Sequence, residues 1–207
     1  MTDDRETKTA YTTADRRYAA RLATRGSAWW KRWLDVQAPY RWNLRRLQPG
    51  FTLDIGCGIG RNLLHLAGDG VGVDHNPHSV EMARARGLQA FTPAEFEASP
   101  FNAAGRFDSL LLSHVVEHMT EPEAIRLLES YLHALRAGGQ VIQITPQESG
   151  YRTDPTHVEF MDFAALNRIA CAVKIKPVKQ FSFPFPRSFG RLFRYNEFVH
   201  VSLKTEG

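Results

Sequence analysis

The sequence predicts a doubly wound α/β fold, with a mostly parallel seven-stranded sheet, helices on both faces and further helices at the N-terminus. Three observations predict it. Short apolar runs alternate with helical patterns from residue 51 onward. A glycine-rich loop joins the first run to the helix that follows it. The run Phe107–Ser113 is largely apolar, as a strand covered on both faces is.

The elements follow in order. Residues 1–10 are polar and read as a flexible tail, and 11–48 read as two helices that form an N-terminal cap. Aromatics recur there among arginines (Tyr11, Tyr18, Trp29, Trp30, Trp33, Tyr40, Trp42), Pro39 breaks the run and Pro49-Gly50 ends it. Phe51–Ile55 is the first strand, followed by the glycine loop and a helix over Arg61–Leu66. Val71–Val73 is the second strand, Asn76-Pro77 starts a helix through Arg86, and Leu88–Phe91 is the third strand. After Phe107–Ser113, a helix covers Glu121–Arg136 until Ala137-Gly138-Gly139 stops it, and Val141–Ile144 is the fifth strand. Val173–Phe183 and Phe193–Leu203 are β-like and close the sheet as an antiparallel edge. The whole chain, 1–207, is one domain, in which 51–146 binds a cofactor and 147–207 supplies an acceptor loop and the closing strands.

Composition narrows the class. The 207 residues are 43% apolar, enough for a core without disulfide staples. Two cysteines, Cys57 and Cys171, and no leader pattern fit a reducing cytoplasm. No apolar run reaches membrane-spanning length, so no membrane partner is expected. Net charge is +4, with eleven Lys/Arg against five Asp/Glu in residues 1–50. That basic segment suits an anionic ligand, or simply a solvated helix surface.

The segment Leu53-Asp54-Ile55-Gly56-Cys57-Gly58-Ile59-Gly60 follows a strand and opens a helix. Its glycines let the backbone approach a ligand closely. Asp74 ends the second strand, where an acid accepts the two hydroxyls of an adenosine ribose. Asp54 before the loop would repel a pyrophosphate but suits an ammonium group, which favours S-adenosylmethionine over a dinucleotide. With Gly72-Val73-Asp74, Phe107–Met119 and Leu135–Ile144, residues 51–146 resemble the core of class I S-adenosylmethionine methyltransferases. The resemblance implies that Asp54, Gly56 and Gly58 line the methionine part of the cofactor and Asp74 the ribose. It also implies His75 at the adenine edge and Ser113 near the sulfonium. Where the family has an acid for the adenine amino group this chain has Thr92-Pro93-Ala94-Glu95, so the Ala94 backbone or Glu95 takes its place. Trp29-Trp30 with Pro39-Tyr40-Arg41 is similar to a pattern of ubiquinone-pathway O-methyltransferases, which implies that Arg41 pairs with the cofactor carboxylate.

His114-Val115-Val116-Glu117-His118 directly follows the fourth strand, and spacings of three and four put His114, Glu117 and His118 on one face of a helical turn. His157, after the fifth strand, converges on the same point. Three imidazoles and a carboxylate make a metal shell. The alternative is a braced loop that holds no ion. The pattern resembles the Glu-x-x-Glu-His turn of ubiquinone-pathway O-methyltransferases and of small-RNA terminal-ribose 2′-O-methyltransferases, with His114 in place of the first Glu. That implies a divalent ion, Mg²⁺ or Mn²⁺, on His114, Glu117, His118 and His157, with His114 and His157 also candidates for catalytic base. The other histidines, His65, His78, His133 and His200, read as helix-surface or late-strand residues.

A metal that grips neighbouring oxygens favours O-methylation of a hydroxyl. Aromatic and arginine side chains of the N-terminal helices and the late loops (Trp29, Trp30, Trp33, Tyr151, Phe183, Phe185, Arg187, Arg191) suit a sugar first, such as a mannoside, in a layout that loosely resembles small actinobacterial sugar O-methyltransferases. Nucleic acid is the second choice, as the acceptor of a ribose 2′-O-methyltransferase, alongside a quinone or phenol acceptor and a non-enzymatic cofactor-binding regulator.

Overall fold

The computed structural model describes residues 35–205. Its strands are β1 Thr52–Ile55, β2 Gly70–Val73, β3 Ala90–Phe91, β4 Phe107–Ser113, β5 Leu135–Pro146, β6 Ile175–Phe183 and β7 Glu197–Lys204. Its helices are α1 Ala38–Arg46, α2 Arg61–His65, α3 Pro77–Arg84, α4 Pro93–Glu97, α5 Glu121–Leu132, α6 Glu148–Tyr151 and α7 Phe163–Ala172. The sheet order is β3-β2-β1-β4-β5-β7-β6. β1 through β5 run parallel, and β7 lies antiparallel between β5 and β6. The predicted doubly wound sheet with an antiparallel edge is therefore the observed one. Strand order reverses between β1 and β4, and the crevice at the carboxyl ends of those strands is where such sheets take ligands.

Local chemistry starts the helices. Asn76 caps α3 by accepting from His78 N, and Pro77 stands in the first turn. Thr120 and Glu123 form a capping box at α5, and Thr92 and Glu95 form another at α4. Pro39 marks the expected break, at the start of α1. It sits in the first turn of α1, where its missing N–H is not needed.

Leu110, Leu111 and Leu112 of β4 are all fully buried. Side chains alternate across a strand, so Leu110 and Leu112 join the core under α5 and α7 with Leu128, Leu166 and Ile169, and Leu111 joins Ile142 and Val201 against Leu44 and Leu47 at α1. This double cover explains why β4 reads as an apolar run.

Two boundaries differ most from expectation. α5 stops at Leu132, and Leu135 pairs with Phe107 at the start of β5, so residues 136–139 bulge before Gln140 rejoins Ser109. Leu135 continues the helical period, yet burial against β4 wins it for the sheet. The last strand begins at Glu197 rather than Phe193, because Arg187–Arg191 forms a 3₁₀ turn. The N-terminal aromatics Tyr11, Tyr18, Trp29, Trp30 and Trp33, the tail 1–10 and the first of the two expected helices lie outside the described residues.

Candidate active site

The loop after β1 folds against the end of β2. Gly56 has φ +74, and a Cβ there would stand 2.4 Å from Val115 Cγ2, so only glycine lets the loop lie this close to the chain leaving β4. Gly58 N donates to Asp74 Oδ2 at 2.7 Å and Asn76 N to Asp74 Oδ1 at 2.8 Å. Asp74 thus pins the glycine loop while each oxygen keeps a further lone pair. His75 follows it, exposed, with Nδ1 3.7 Å from Asp74 Oδ1.

Asp54 is fully buried at the end of β1. Its Oδ1 accepts weakly from Asn62 Nδ2 at 3.4 Å, and its Oδ2 has no partner among the described residues. Burial, with the nearby Asp74 charge adding to it against the Asn62 bond, pushes its carboxyl up to about 7. An unpartnered buried carboxylate is costly by itself and is relieved by a cation, so this residue fits the ammonium of an amino-acid moiety.

Ser113, at the end of β4, lines a cavity of about 60 Å³ with Tyr40, Arg61, Asn62, His65 and Glu197. Arg41 is not among the lining residues; its guanidinium pairs with Asp35 at 2.5 Å. His65 is buried rather than on a helix surface, and burial together with neighbouring arginines depresses it to about 4. Ala94 stands in the first turn of α4, after Pro93. Glu95 is committed elsewhere: it closes the capping box with Thr92 and binds Arg84, which together lower its carboxyl to about 2.

Beyond β4 the chain makes a 3₁₀ turn, Val116–His118, and the loop after α6 returns to it. Val158 N donates to Glu117 O at 2.8 Å, which ties the loop to the turn. One ligand atom from each of Glu117, His118 and His157 lies within 4.8 Å of the others. His118 Nδ1 lies 3.2 Å from Thr156 O, and His157 Nδ1 lies 2.6 Å from Tyr151 O. A ring nitrogen facing a carbonyl must donate, so in each neutral ring Nε2 carries the lone pair, the tautomer that metal-bound histidines adopt. The Tyr151 ring stacks on His157 at 5.1 Å and fixes its plane. Burial lowers the pKa of His118, keeping it neutral. Glu117 is completely buried, and its Oε2 has no hydrogen-bond partner among the described residues. Two lone pairs and an orphaned carboxylate oxygen suit a divalent cation.

His114 stands beside this cluster, with both ring nitrogens facing carboxylates. Its backbone is left-handed, φ +58. Its Nδ1 lies 3.2 Å from Glu117 Oε1 and its Nε2 2.9 Å from Glu197 Oε1. Burial opposes the charge, but the two carboxylates outweigh it and raise the imidazole to about 10. The side chain is 45% exposed, and each ring nitrogen faces a carboxylate oxygen. Its role is to clamp Glu117 to β7. Glu197 was missed from the sequence. It lies 83 residues from His114 and arrives on an antiparallel strand, so no spacing rule signals it.

The fold and this crevice are similar to those of S-adenosylmethionine-dependent methyltransferases. Residues 53–143 match the family model described as "Methyltransferase domain". The chain is 34% identical over 115 residues to the ubiquinone biosynthesis O-methyltransferase of Cereibacter sphaeroides, a match covering 52% of this chain and 44% of the relative. It is 29% identical over 87 residues to the same-named protein of Bordetella avium, covering 38% and 36%. The matches thus span less than half the length of these curated relatives. A crystal structure of a SAM-dependent methyltransferase from Archaeoglobus fulgidus superposes with a TM-score of 0.66 at 19% identity, over 92% of this chain and 100% of that one, a likeness of fold.

Proposed function

We propose that the protein is an S-adenosylmethionine-dependent O-methyltransferase that acts on a hydroxyl of a small molecule, a sugar or oligosaccharide first, with a divalent cation on Glu117, His118 and His157. The carrying observation is the unpartnered Glu117 Oε2 beside two histidines whose Nδ1 atoms are spent on carbonyls. The cofactor lies along Asp54, Gly56, Gly58 and Asp74, with His75 and Ala94 at the adenine and Ser113 near the sulfonium. Asp54 takes the ammonium and Asp74 the ribose hydroxyls.

Methyl transfer is an in-line displacement at a sulfonium carbon already activated, so the protein's task is alignment and preparation of the acceptor oxygen. Bound at this cluster, a divalent cation supplies Lewis acidity that lowers the pKa of an acceptor hydroxyl. The chain's own residues do the rest. Thr156 and Tyr151 hold the imidazoles in the required tautomer, and His114 and Glu197 hold the Glu117 carboxylate. A nitrogen-rich shell suits Mn²⁺ better than Mg²⁺, which needs waters and substrate oxygens to complete its octahedron.

A second reading, a phenol or quinone acceptor, is favoured by the names of the curated relatives. A vicinal hydroxyl pair on an aromatic ring offers the same two oxygens as a sugar diol. Transfer from labelled cofactor to a panel of oligosaccharides, catechols and single-stranded RNA, with and without chelator, separates the readings. Sugar product that disappears with chelator and returns with Mn²⁺ supports the first. Product on catechol or RNA alone overturns it. Full turnover without metal returns His157 to the role of general base.

A further inference from the structure

Residues 163–196 contain no Asp or Glu but seven cations: Arg168, Lys174, Lys176, Lys179, Arg187, Arg191 and Arg194. Within this stretch the β6–β7 connection turns the usual rule inside out. Phe185 is 43% exposed, Phe189 48%, Tyr195 54% and Leu192 82%, while the amides Asn196 and Gln147 beside them are inside. Buried Asn196 donates to Gln147 Oε1 at 2.9 Å and accepts from Phe185 N at 2.9 Å, and Gln147 Nε2 reaches Ser182 Oγ at 2.8 Å. This amide network pins both ends of the strap. Its apolar side chains are therefore held outward by the fold. The exposed rings gather into one patch, with Phe185 5.6 Å from Phe189 and 5.0 Å from Phe193, and Phe193 5.7 Å from Tyr195. Arg191 and Arg194 flank it, exposed.

We propose that this strap docks the protein on a lipid bilayer with anionic headgroups, Leu192 and the phenyl rings entering the interface and Arg191 and Arg194 meeting the headgroup charge. A contiguous exposed apolar patch rimmed by cations has the chemistry of an interfacial anchor. Charge selects this occupant over others. A second copy would set cation against cation across a two-fold axis. The chain's own residues 1–50 carry eleven cations against five acids and are repelled likewise. RNA would suit the arginines, but the most exposed side chain is aliphatic Leu192, which offers no face to a base. The expectation of no membrane partner rested on span length, and no described helix is long and apolar enough to cross a membrane; lying on the surface requires no span. The strap packs on α6 through the Arg187–Glu148 ion pair, and α6 carries the Tyr151 carbonyl that orients His157, so the docking surface adjoins the candidate active site.

Flotation of the full chain with phosphatidylcholine vesicles, and with vesicles containing 30 mol% phosphatidylglycerol, tests this at two salt concentrations. The design uses ~30 mol% because about 1 kcal/mol per cation is expected near an anionic surface. The expected result is binding to the anionic vesicles only, weakened by salt. Leu192→Glu should lower partitioning about tenfold or more, and Arg191→Gln and Arg194→Gln about fivefold each. Thermal unfolding of each variant checks folding, and Phe189→Ser serves as a second apolar variant. No anionic-vesicle binding, equal binding by Leu192→Glu, binding to a single-stranded RNA in place of vesicles, or dimerisation lost on Leu192→Glu without vesicle binding would each overturn the proposal.

Discussion

Asp54→Asn tests the cofactor side through a cost that the folded protein carries. The carboxyl's ordinary value is 3.8, and burial with one oxygen unpartnered raises it to about 7. A raised acid pKa means the folded state keeps the proton longer than the unfolded chain, so stability is fullest below 3.8 and falls as pH rises to 7. Between pH 5 and pH 8 this loss amounts to about 2.5 kcal/mol. Asparagine cannot ionise, so the variant should lack that part of the pH dependence. Urea unfolding without cofactor at both pH values measures it: the wild-type stability should drop relative to the variant by about 2.5 kcal/mol on going to pH 8. Saturating S-adenosylmethionine should restore the wild type by supplying an ammonium partner. The variant should bind it about tenfold to a hundredfold more weakly, as a lost charge-assisted bond predicts. Parallel pH profiles for the two proteins would refute the claim that Asp54 is a strained, vacant anion.

Asp74→Ala removes the acceptor of Gly58 N as well as the proposed ribose contacts, so calorimetry should find S-adenosylmethionine affinity reduced about tenfold or more; an unchanged dissociation constant removes Asp74 from the site. Arg61→Ala should weaken cofactor binding more than Arg41→Ala, because Arg61 lines the cavity and Arg41 pairs with Asp35; the reverse order, read by the same titration, reinstates Arg41 as the carboxylate partner. His200 is fully buried in β7, and burial lowers it from 6.5 to about 4, so the folded state resists its protonation. Its contribution is present above pH 6.5 and is lost as pH falls to 4, about 3 kcal/mol in all. In acid unfolding curves His200→Gln should remove that loss, and an identical curve would show that His200 does not drive it.

The parts of the site read from sequence are those set by short spacings. Asp54 through Gly60, Asp74 and the turn Glu117-His118 each depend on neighbours a few residues away, and β4 was bounded correctly because burial on both faces writes itself as an apolar run. His157 was legible because parallel β4 and β5 are adjacent in such sheets and their following loops must meet. The rest depends on long-range pairing. Glu197 reaches His114 only because β7 inserts between β5 and β6. Leu135 and Arg136 look helical by period, but the Phe107 pairing claims Leu135 for the sheet. His65 follows a helical pattern on an expected surface, where α1 instead packs over it and buries it.

The central claim is that Glu117, His118 and His157 hold a divalent cation. Titration of the chelator-treated full chain with Mn²⁺, followed by the loss of the free-ion electron paramagnetic resonance signal, tests it most directly. The account predicts one ion per chain, lost in Glu117→Gln and His157→Ala while S-adenosylmethionine binding persists, because the proposed cofactor contacts are Asp54, Asp74 and the glycine loop rather than this cluster. Saturable binding that survives both substitutions, or no binding by the wild-type chain, would contradict it.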